Sequence, residues 1–203
     1  KSANNTAEAA RHYARIATVL PQHDLAAKGL YQAASLSAEQ GQWAQAAGYG
    51  QDFSQRFPRH ELMADVNRLL SSSYLKANNQ GKAAESLEAL AKNEKDASVK
   101  AAALWQAATL YEQQKDKLAA VRALTQYAEN YPKPFGQYME ALYKLAQLNS
   151  GDTKARQVSL DKIQLAANQA AFSDKTERTA YINAWAQLQK ANEQYTQFQR
   201  VRL

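Results

Sequence analysis

The chain has 203 residues, no cysteine, and 25 Lys and Arg residues against 19 Asp and Glu, giving a formal net charge of +6. The lack of cysteine excludes disulfide bonds and thiolate chemistry. The mean hydropathy is −0.62, and no apolar run approaches the length of about 18 residues that a membrane-spanning helix requires. The basic residues are interleaved with acidic ones instead of being gathered beside aromatic stacking positions, so we do not expect nucleic acid to bind.

A spacing of 37 residues organises the chain. Pro21 and Pro58 lie 37 residues apart, and twice that distance separates Pro58 from Pro132. The same period aligns a set of alanines, and the residues four and seven positions after them are mostly apolar, as on one face of a helix. These alanines are Ala9, Ala46, Ala83 and Ala120. A repeat of this length predicts a solenoid, in which an extended surface carries the function.

A second helix upstream of each alanine repeats as well. Its apolar or small positions are Leu30, Ala33 and Ala34, then Asn67, Leu70 and Ser71, then Leu104, Ala107 and Ala108. Ser37, Tyr74 and Tyr111 follow these groups at the same spacing. We expect the small residues to let paired helices approach closely, with the tyrosines filling the space beside them.

The predicted elements form one all-α domain over residues 1–203, a right-handed superhelical solenoid of antiparallel helix pairs. A half repeat at 6–20 comes first, followed by repeats at 27–63, 64–100 and 101–137, a degenerate repeat at 138–172 and a capping helix at 175–200. The half repeat is either a capping element or the start of a piece excised from a longer array, and we favour the excised piece. Pro132–Gly136 is expected to be a tight turn, because helical periodicity resumes at Tyr138.

The third repeat resembles the tetratricopeptide repeat family. The matching residues are Leu104, Ala107, Ala108, Tyr111, Ala120, Leu124 and Pro132, which follow the family pattern with Leu104 in place of Trp and Ala108 in place of Gly. The family period is about 34 residues, so each repeat here is longer. The additional residues follow the proline, as at 59–61, and suggest longer first helices. Phe57-Pro58 and Tyr131-Pro132 resemble repeat ends of bacterial envelope members of the family.

This resemblance implies a protein-binding scaffold whose first helices line a concave, partner-facing surface. Carried over position by position, the partner-facing residues are Lys28, Tyr31, Ser35, Asp65, Arg68, Ser72, Ala102, Trp105, Thr109 and Tyr143. Tyr, Arg and Trp are the residue types that dominate interface hot spots. Packing of Tyr31 and Trp105 against neighbouring helices is the alternative for these two aromatic residues. Ser and Thr stand where carboxylate-clamp members of the family need basic residues and Asn, so clamp-type recognition is not expected.

No catalytic or metal-binding pattern is present in the sequence. The histidines His12, His23 and His60 are isolated from one another and lie beside loop signals, so we expect each to be solvated. We therefore predict a non-catalytic chain without cofactor or metal. A catalytic domain elsewhere in a longer parent protein is compatible with this prediction.

The last predicted helix carries an apolar stripe made of Tyr181, Trp185, Leu188, Tyr195 and Phe198. Two interpretations are open: the stripe buries the end of the helix stack, or it offers an apolar surface to a neighbouring domain. For the whole chain we predict a protein or peptide partner and a periplasmic or outer-membrane-associated location, with the cytoplasm as the alternative. The alternative functions are an accessory segment of a larger cell-wall enzyme or secretion system, and a self-associating structural module.

Overall fold

The computed structural model describes the backbone of residues 2–21 and 23–201 and the side chains of residues 6–21 and 23–200. Within these ranges the chain forms ten α-helices, one short 3-10 helix and no strand, which confirms the predicted all-α class. Contacts divide it into two compact units, Lys1–Asp116 and Lys117–Leu203. The first unit contains α1 (Ser2–Val19), α2 (Asp24–Glu39), α3 (Trp43–Arg56), α4 (Met63–Lys76), α5 (Gln80–Asn93) and α6 (Ala97–Gln113). The second contains α7 (Lys117–Asn130), α8 (Phe135–Leu148), α9 (Thr153–Gln169), the 3-10 helix (Phe172–Asp174) and α10 (Glu177–Val201).

The helix boundaries repeat with the period read from the sequence. The helices α3, α5 and α7 begin at Trp43, Gln80 and Lys117, which are 37 residues apart. The alanines Ala46, Ala83 and Ala120 are the fourth residues of these helices, and each has 0% of its surface exposed. These three alanines therefore occupy equivalent, fully buried positions, as their spacing predicted. The fourth alanine of the set, Ala9 on α1, is only half-buried.

The turn inside each helix pair also repeats. The second residue after the first helix has a positive φ angle: +71° at Gly41, +57° at Asn78 and +60° at Lys115. The amide of the following residue donates to a carbonyl in the last turn of the helix, at 2.9, 2.8 and 2.9 Å, with Ser37, Tyr74 and Tyr111 as the acceptors. These bonds satisfy carbonyls that a helix end would otherwise leave unpaired.

Consecutive helices of the first unit pack against one another from α1 to α6, and α2 also contacts α4. Short connections make each neighbouring pair antiparallel. Close packing between α3 and α4 depends on Gly50, because a Cβ atom there would lie 2.8 Å from Leu70 Cδ2. One period further on, the large and small residues are exchanged, with Leu87 on α5 and Ala107 on α6.

The prediction of longer first helices holds for two of the three repeats. Helices α2 and α6 have 16 and 17 residues, but α4 has 14 and begins only at Met63, so residues 59–61 lie in the connection before it. The side chain of His60 shapes this connection: its Nδ1 accepts from the amide of Leu62 at 3.1 Å, and its ring packs edge-on against Phe53 with centroids 5.3 Å apart. Only 13% of the His60 side chain is exposed. The expectation of a solvated His60 is therefore wrong.

His23 occupies the place one period before His60 and acts in the same way, since its Nδ1 accepts from the amide of Leu25 at 3.1 Å at the start of α2. Its side chain is exposed, as is that of His12. The sequence predicted the exposure of these two histidines. It did not reveal that His23 and His60 share a helix-entry role.

The core of the second unit lies among α8, α9 and α10. Its buried residues are Phe135, Met139, Leu142, Ala146, Leu160, Ile163, Ile182 and Ala186. Residues 131–134 connect α7 to α8, which confirms the predicted short turn, but Phe135 and Gly136 belong to α8 and not to the turn. Helix α9 begins after Asp152, whose carboxylate accepts from the amide of Ala155 at 3.0 Å.

The face that helix α10 buries differs from the apolar stripe noted in the sequence. Ile182 and Ala186 are fully buried, whereas the apolar stripe is centred about 140° away from them around the helix. The exposed fractions along the stripe are 51% for Tyr181, 56% for Leu188, 63% for Tyr195 and 60% for Phe198. The interpretation that the stripe is buried is therefore wrong for these four residues.

Candidate partner-binding surface

The predicted partner-facing residues of the first unit lie on α2, α4 and α6, outside the core. Their side chains are exposed at Lys28, Arg68, Ser72 and Ala102, and half-buried at Tyr31, Ser35, Asp65, Trp105 and Thr109. Residues one position away carry the packing, as Leu30, Asn67 and Leu104 do. The helical period therefore separates a packed face from an accessible one in each first helix. We call the accessible residues of α2, α4 and α6 the first-helix surface.

Arg68 has the most defined geometry on this surface. Its Nη1 lies 2.7 Å from Asp65 Oδ1, one turn away on α4, and its Nη2 lies 2.7 Å from Glu94 Oε2 in the connection between α5 and α6. The guanidinium has five N–H donors, of which these pairs use two. Because 52% of the Arg68 side chain is exposed, the remaining donors can reach a partner while the carboxylates fix the plane of the guanidinium.

Glu94 is itself held by the backbone. Its Oε1 accepts from the amides of Lys95 at 2.7 Å and Asp96 at 3.2 Å. These two hydrogen bonds, more than the charge of Arg68, hold the pKa of Glu94 below its ordinary value. Asp96 then caps α6 through the amides of Ser98 and Val99. The ion pair of Arg68 is therefore anchored to the start of α6.

The other polar groups described on the first-helix surface either form ion pairs or have oxygens that can accept a hydrogen bond. Lys28 Nζ lies 2.7 Å from Asp24 Oδ2, and Asp24 also approaches His60 Nε2 at 3.3 Å. Lys28 and then His60 lower the pKa of Asp24 through these hydrogen bonds. The hydroxyls of Ser72 and Thr109 donate to carbonyls of their own helices, at 2.9 and 3.0 Å, so their oxygens remain able to accept.

Tyr143 belongs to the second unit and lies in an aromatic cluster between α8 and α10. Its ring packs edge-on against Trp185 with centroids 4.7 Å apart, and against Tyr181 at 6.4 Å. The Arg178 guanidinium lies 4.9 Å from the centre of the Tyr143 ring and forms two hydrogen bonds to Glu140, at 2.9 and 2.7 Å. Burial, followed by the hydrogen bond with Tyr181, raises the pKa of Tyr143. Tyr143 is thus one member of a packed cluster of aromatic rings and one Arg–Glu pair.

The sequence did not identify Glu94 or Arg178 as parts of these sites. Glu94 could have been found, because it occupies the position that Phe57 and Tyr131 hold one period before and after it. A carboxylate in place of a repeating aromatic residue indicates a local role. No sequence signal pairs Arg178 with Glu140, since 38 residues separate them and the repeat is degenerate there.

Two kinds of site are absent from the part of the chain that the structure describes. No three or more His, Asp or Glu side chains there come together as metal ligands. None of the described helices is both long and apolar enough to cross a membrane.

Comparison with known proteins finds one family match and solved structures of low similarity. The model of the Tetratricopeptide repeat family matches residues 102–134, which include most of α6 and all of α7. A search of the curated proteins finds no significant match. Among solved structures, a crystal structure of MamA protein is similar at 15% identity, with a TM-score of 0.45 and coverage of 81% of this chain and 82% of that one. BtubC from P. vanneervenii is similar at 15% identity, with a TM-score of 0.43 and coverage of 98% and 89%. The chain thus contains a tetratricopeptide-like repeat within an all-helical arrangement of paired helices.

Proposed function

We propose that this chain is a non-catalytic scaffold that binds a protein partner through the first-helix surface. The observation that carries the proposal is the recurrence of accessible Tyr31, Arg68 and Trp105 at one place in three successive first helices, while their neighbours form the core. Large aromatic side chains and arginine contribute most of the binding energy at protein interfaces. The tetratricopeptide match at residues 102–134 includes Trp105 and Thr109 and supports the same role.

The arrangement suits an extended peptide. Tyr31 and Trp105 each present an aromatic ring with little rotamer freedom to lose, and Arg68 presents free N–H donors held in a fixed plane by Asp65 and Glu94. Ser72 and Thr109 add acceptors for backbone amides of the peptide. A peptide with apolar side chains separated by a carbonyl or carboxylate group matches this order of contacts.

Affinity purification followed by quantitative mass spectrometry tests this function. A variant with Tyr31, Arg68 and Trp105 changed to alanine is compared with the wild type and with a control that carries Gln45→Ala and Lys92→Ala. The control residues are exposed and lie on second helices, and Lys92→Ala removes one positive charge as Arg68→Ala does. We expect the triple variant to lose specific partners that the control retains. Equal recovery of partners by both variants would rule the surface out.

We also propose that the protein works in the envelope of a bacterium, either in the periplasm or at the outer membrane. The support is the resemblance of Phe57-Pro58 and Tyr131-Pro132 to repeat ends of envelope members of the family. Fractionation of the native host cell, followed by detection with an antibody against this chain, tests the location. Recovery in the cytoplasmic fraction would overturn the location without affecting the proposal of partner binding.

A further inference from the structure

A second candidate site lies on the opposite side of α4. A cleft of about 250 Å³ is bounded by α3, α4 and α5, and the α4 residues that line it are Asn67, Leu70 and Tyr74. At 3.6 residues per turn, these three positions are centred roughly 200° around the helix from Asp65, Arg68 and Ser72. The cleft is therefore separate from the first-helix surface.

Two buried polar atoms of residues that line this cleft lack a hydrogen-bond partner. Asn67 and Tyr74 are only 3% and 7% exposed, and both line the cleft. Neither Asn67 Nδ2 nor the Tyr74 hydroxyl makes a hydrogen bond with any residue that the structure describes. Buried polar groups that lack a partner are unfavourable and uncommon in folded proteins, so each calls for an explanation.

Comparison between repeats shows that the fold does not require a polar group at Asn67 and that the hydroxyl of the tyrosine at the position of Tyr74 has a partner elsewhere. Leucine occupies the position of Asn67 one period earlier and one period later, at Leu30 and Leu104. Tyr111 is the counterpart of Tyr74, and its hydroxyl lies 2.8 Å from Glu88 Oε2. The counterpart of Glu88 beside Tyr74 is Gln51, which lines the cleft without bonding to the Tyr74 hydroxyl. The cleft thus departs from the other repeats in two ways: Asn67 replaces a leucine, and Gln51 replaces the carboxylate that pairs with the tyrosine.

The charges at the cleft are balanced. Lys82 Nζ lies 5.5 Å from the centre of the Tyr74 ring, and Glu85 lines the cleft one turn further along α5. The pKa of Tyr74 is raised, first by burial and then by the negative charge of Glu85. A carboxylate ligand would lie near Glu85, and an ammonium ligand would lie near Lys82. A neutral group that both accepts and donates hydrogen bonds fits this pair better than either ion.

The volume of the cleft limits the size of the ligand that it can bind. A volume of about 250 Å³ corresponds to roughly eight water molecules, which is below the range of sites for drug-sized ligands. It can hold one amino-acid side chain. Leu70, Ala89 and the Tyr74 ring provide an apolar wall for methylene groups. The open side of the cleft lets such a side chain remain attached to a peptide.

We propose that this cleft binds a primary carboxamide on a short aliphatic arm, presented as the side chain of a glutamine in a partner peptide. The amide carbonyl accepts from Asn67 Nδ2 and from the Tyr74 hydroxyl, and the amide NH₂ donates to Glu85. The partner would then contact two sides of α4. This proposal does not depend on the first-helix surface, because the residues of the two sites do not overlap.

Titration of the ¹⁵N-labelled chain, followed by NMR, tests the proposal. The probes are blocked residues, N-acetylglutamine N-methylamide and the corresponding glutamate and leucine compounds, together with free glutamine. We expect saturable shifts of the Asn67 side-chain amide and of α3–α5 backbone amides with the blocked glutamine, and weaker binding of the other compounds. Tighter binding of glutamate would overturn the carboxamide assignment. Equal binding of free and blocked glutamine would overturn the peptide as the source.

Matched variants connect the binding to the two polar groups. Tyr74→Phe removes one hydrogen bond, and Asn67→Leu installs the leucine of the neighbouring repeats, so each should weaken binding by roughly fivefold or more without unfolding the chain. Tyr111→Phe is the control, because the Tyr111 hydroxyl is engaged by Glu88 outside the cleft. Unchanged affinity in Tyr74→Phe and Asn67→Leu would overturn the proposal. So would the absence of saturable shifts with every probe, which would mean that the cleft holds only water.

Discussion

The exchange of large and small residues between α3–α4 and α5–α6 allows a quantitative test of repeat equivalence. Gly50→Leu would place a Cβ atom 2.8 Å from Leu70 Cδ2 and 3.0 Å from its Cγ, and overpacking of this kind costs about 1–3 kcal/mol. Leu70 is 5% exposed, so Leu70→Ala should cost about 2–5 kcal/mol through the cavity that it leaves. The double variant reproduces the Leu87 and Ala107 arrangement of the next repeat.

If positions one period apart are structurally equivalent, the two changes compensate each other. We expect the double variant to be more stable than Leu70→Ala alone, with a coupling energy of about 1–3 kcal/mol. Urea denaturation followed by far-UV circular dichroism measures the four free energies of unfolding. The matched control is Gly48→Leu on the same helix, where a Cβ atom meets nothing within 4 Å and helix propensity should add about 0.5–1 kcal/mol. Additive effects of Gly50→Leu and Leu70→Ala would refute the reasoning.

Three further changes test the packing and the surface separately. Ala108→Leu should destabilise the chain by about 1–3 kcal/mol, because Ala108 is 1% exposed; an unchanged melting temperature would contradict the helix alignment. Trp105→Ala should weaken partner binding while leaving the circular dichroism melt close to that of the wild type, and a large loss of stability would show that Trp105 belongs to the core. Arg56→Ala should speed amide hydrogen exchange at the end of α1, because Arg56 Nη2 donates to the carbonyls of Ala17 at 2.9 Å and Pro21 at 3.2 Å. Exchange as slow as in the wild type would show that Arg56 does not stabilise the end of α1.

The period in the sequence was sufficient to predict the helix pairs and much of the core. Alanine recurs at the fourth position of α3, α5 and α7, where no side-chain surface is exposed, so Ala46, Ala83 and Ala120 could be aligned without a structure. The ends of α2, α4 and α6, at Glu39, Lys76 and Gln113, keep the same period. The turns after these three helices share one hydrogen-bond pattern, which fixes the number of residues in each turn.

The connections between repeats were less predictable. Side chains decide where α4 begins, because His60 packs on Phe53 and holds the amide of Leu62. A proline followed by three residues can equally extend the next helix or form a turn. The face that α10 buries was also missed, since Ile182 and Ala186 form a smaller apolar stripe than the aromatic residues beside them. Size and hydrophobicity alone favoured the wrong face.

The candidate sites were also predictable from the sequence only in part. Accessible positions such as Arg68 follow from helical periodicity, and the structure places Arg68 half-exposed on α4. Its ion pair with Glu94 joins residues 26 positions apart through a connection whose path the sequence does not specify. The cleft beside Asn67 is formed by three helices together, so it could not be predicted from the sequence. The one sequence signal for it is that Asn67 replaces the leucine of the neighbouring repeats.

Site-specific photocrosslinking in the native host tests the central claim most directly. A photoreactive phenylalanine analogue replaces Tyr31, Arg68 or Trp105, one at a time, and in parallel it replaces the exposed second-helix residues Gln45 or Lys92. We expect the same discrete covalent adduct to another polypeptide from all three first-helix positions and none from the two control positions. Adducts from the control positions alone, or equal adducts from both sets, would contradict a partner-binding surface on α2, α4 and α6.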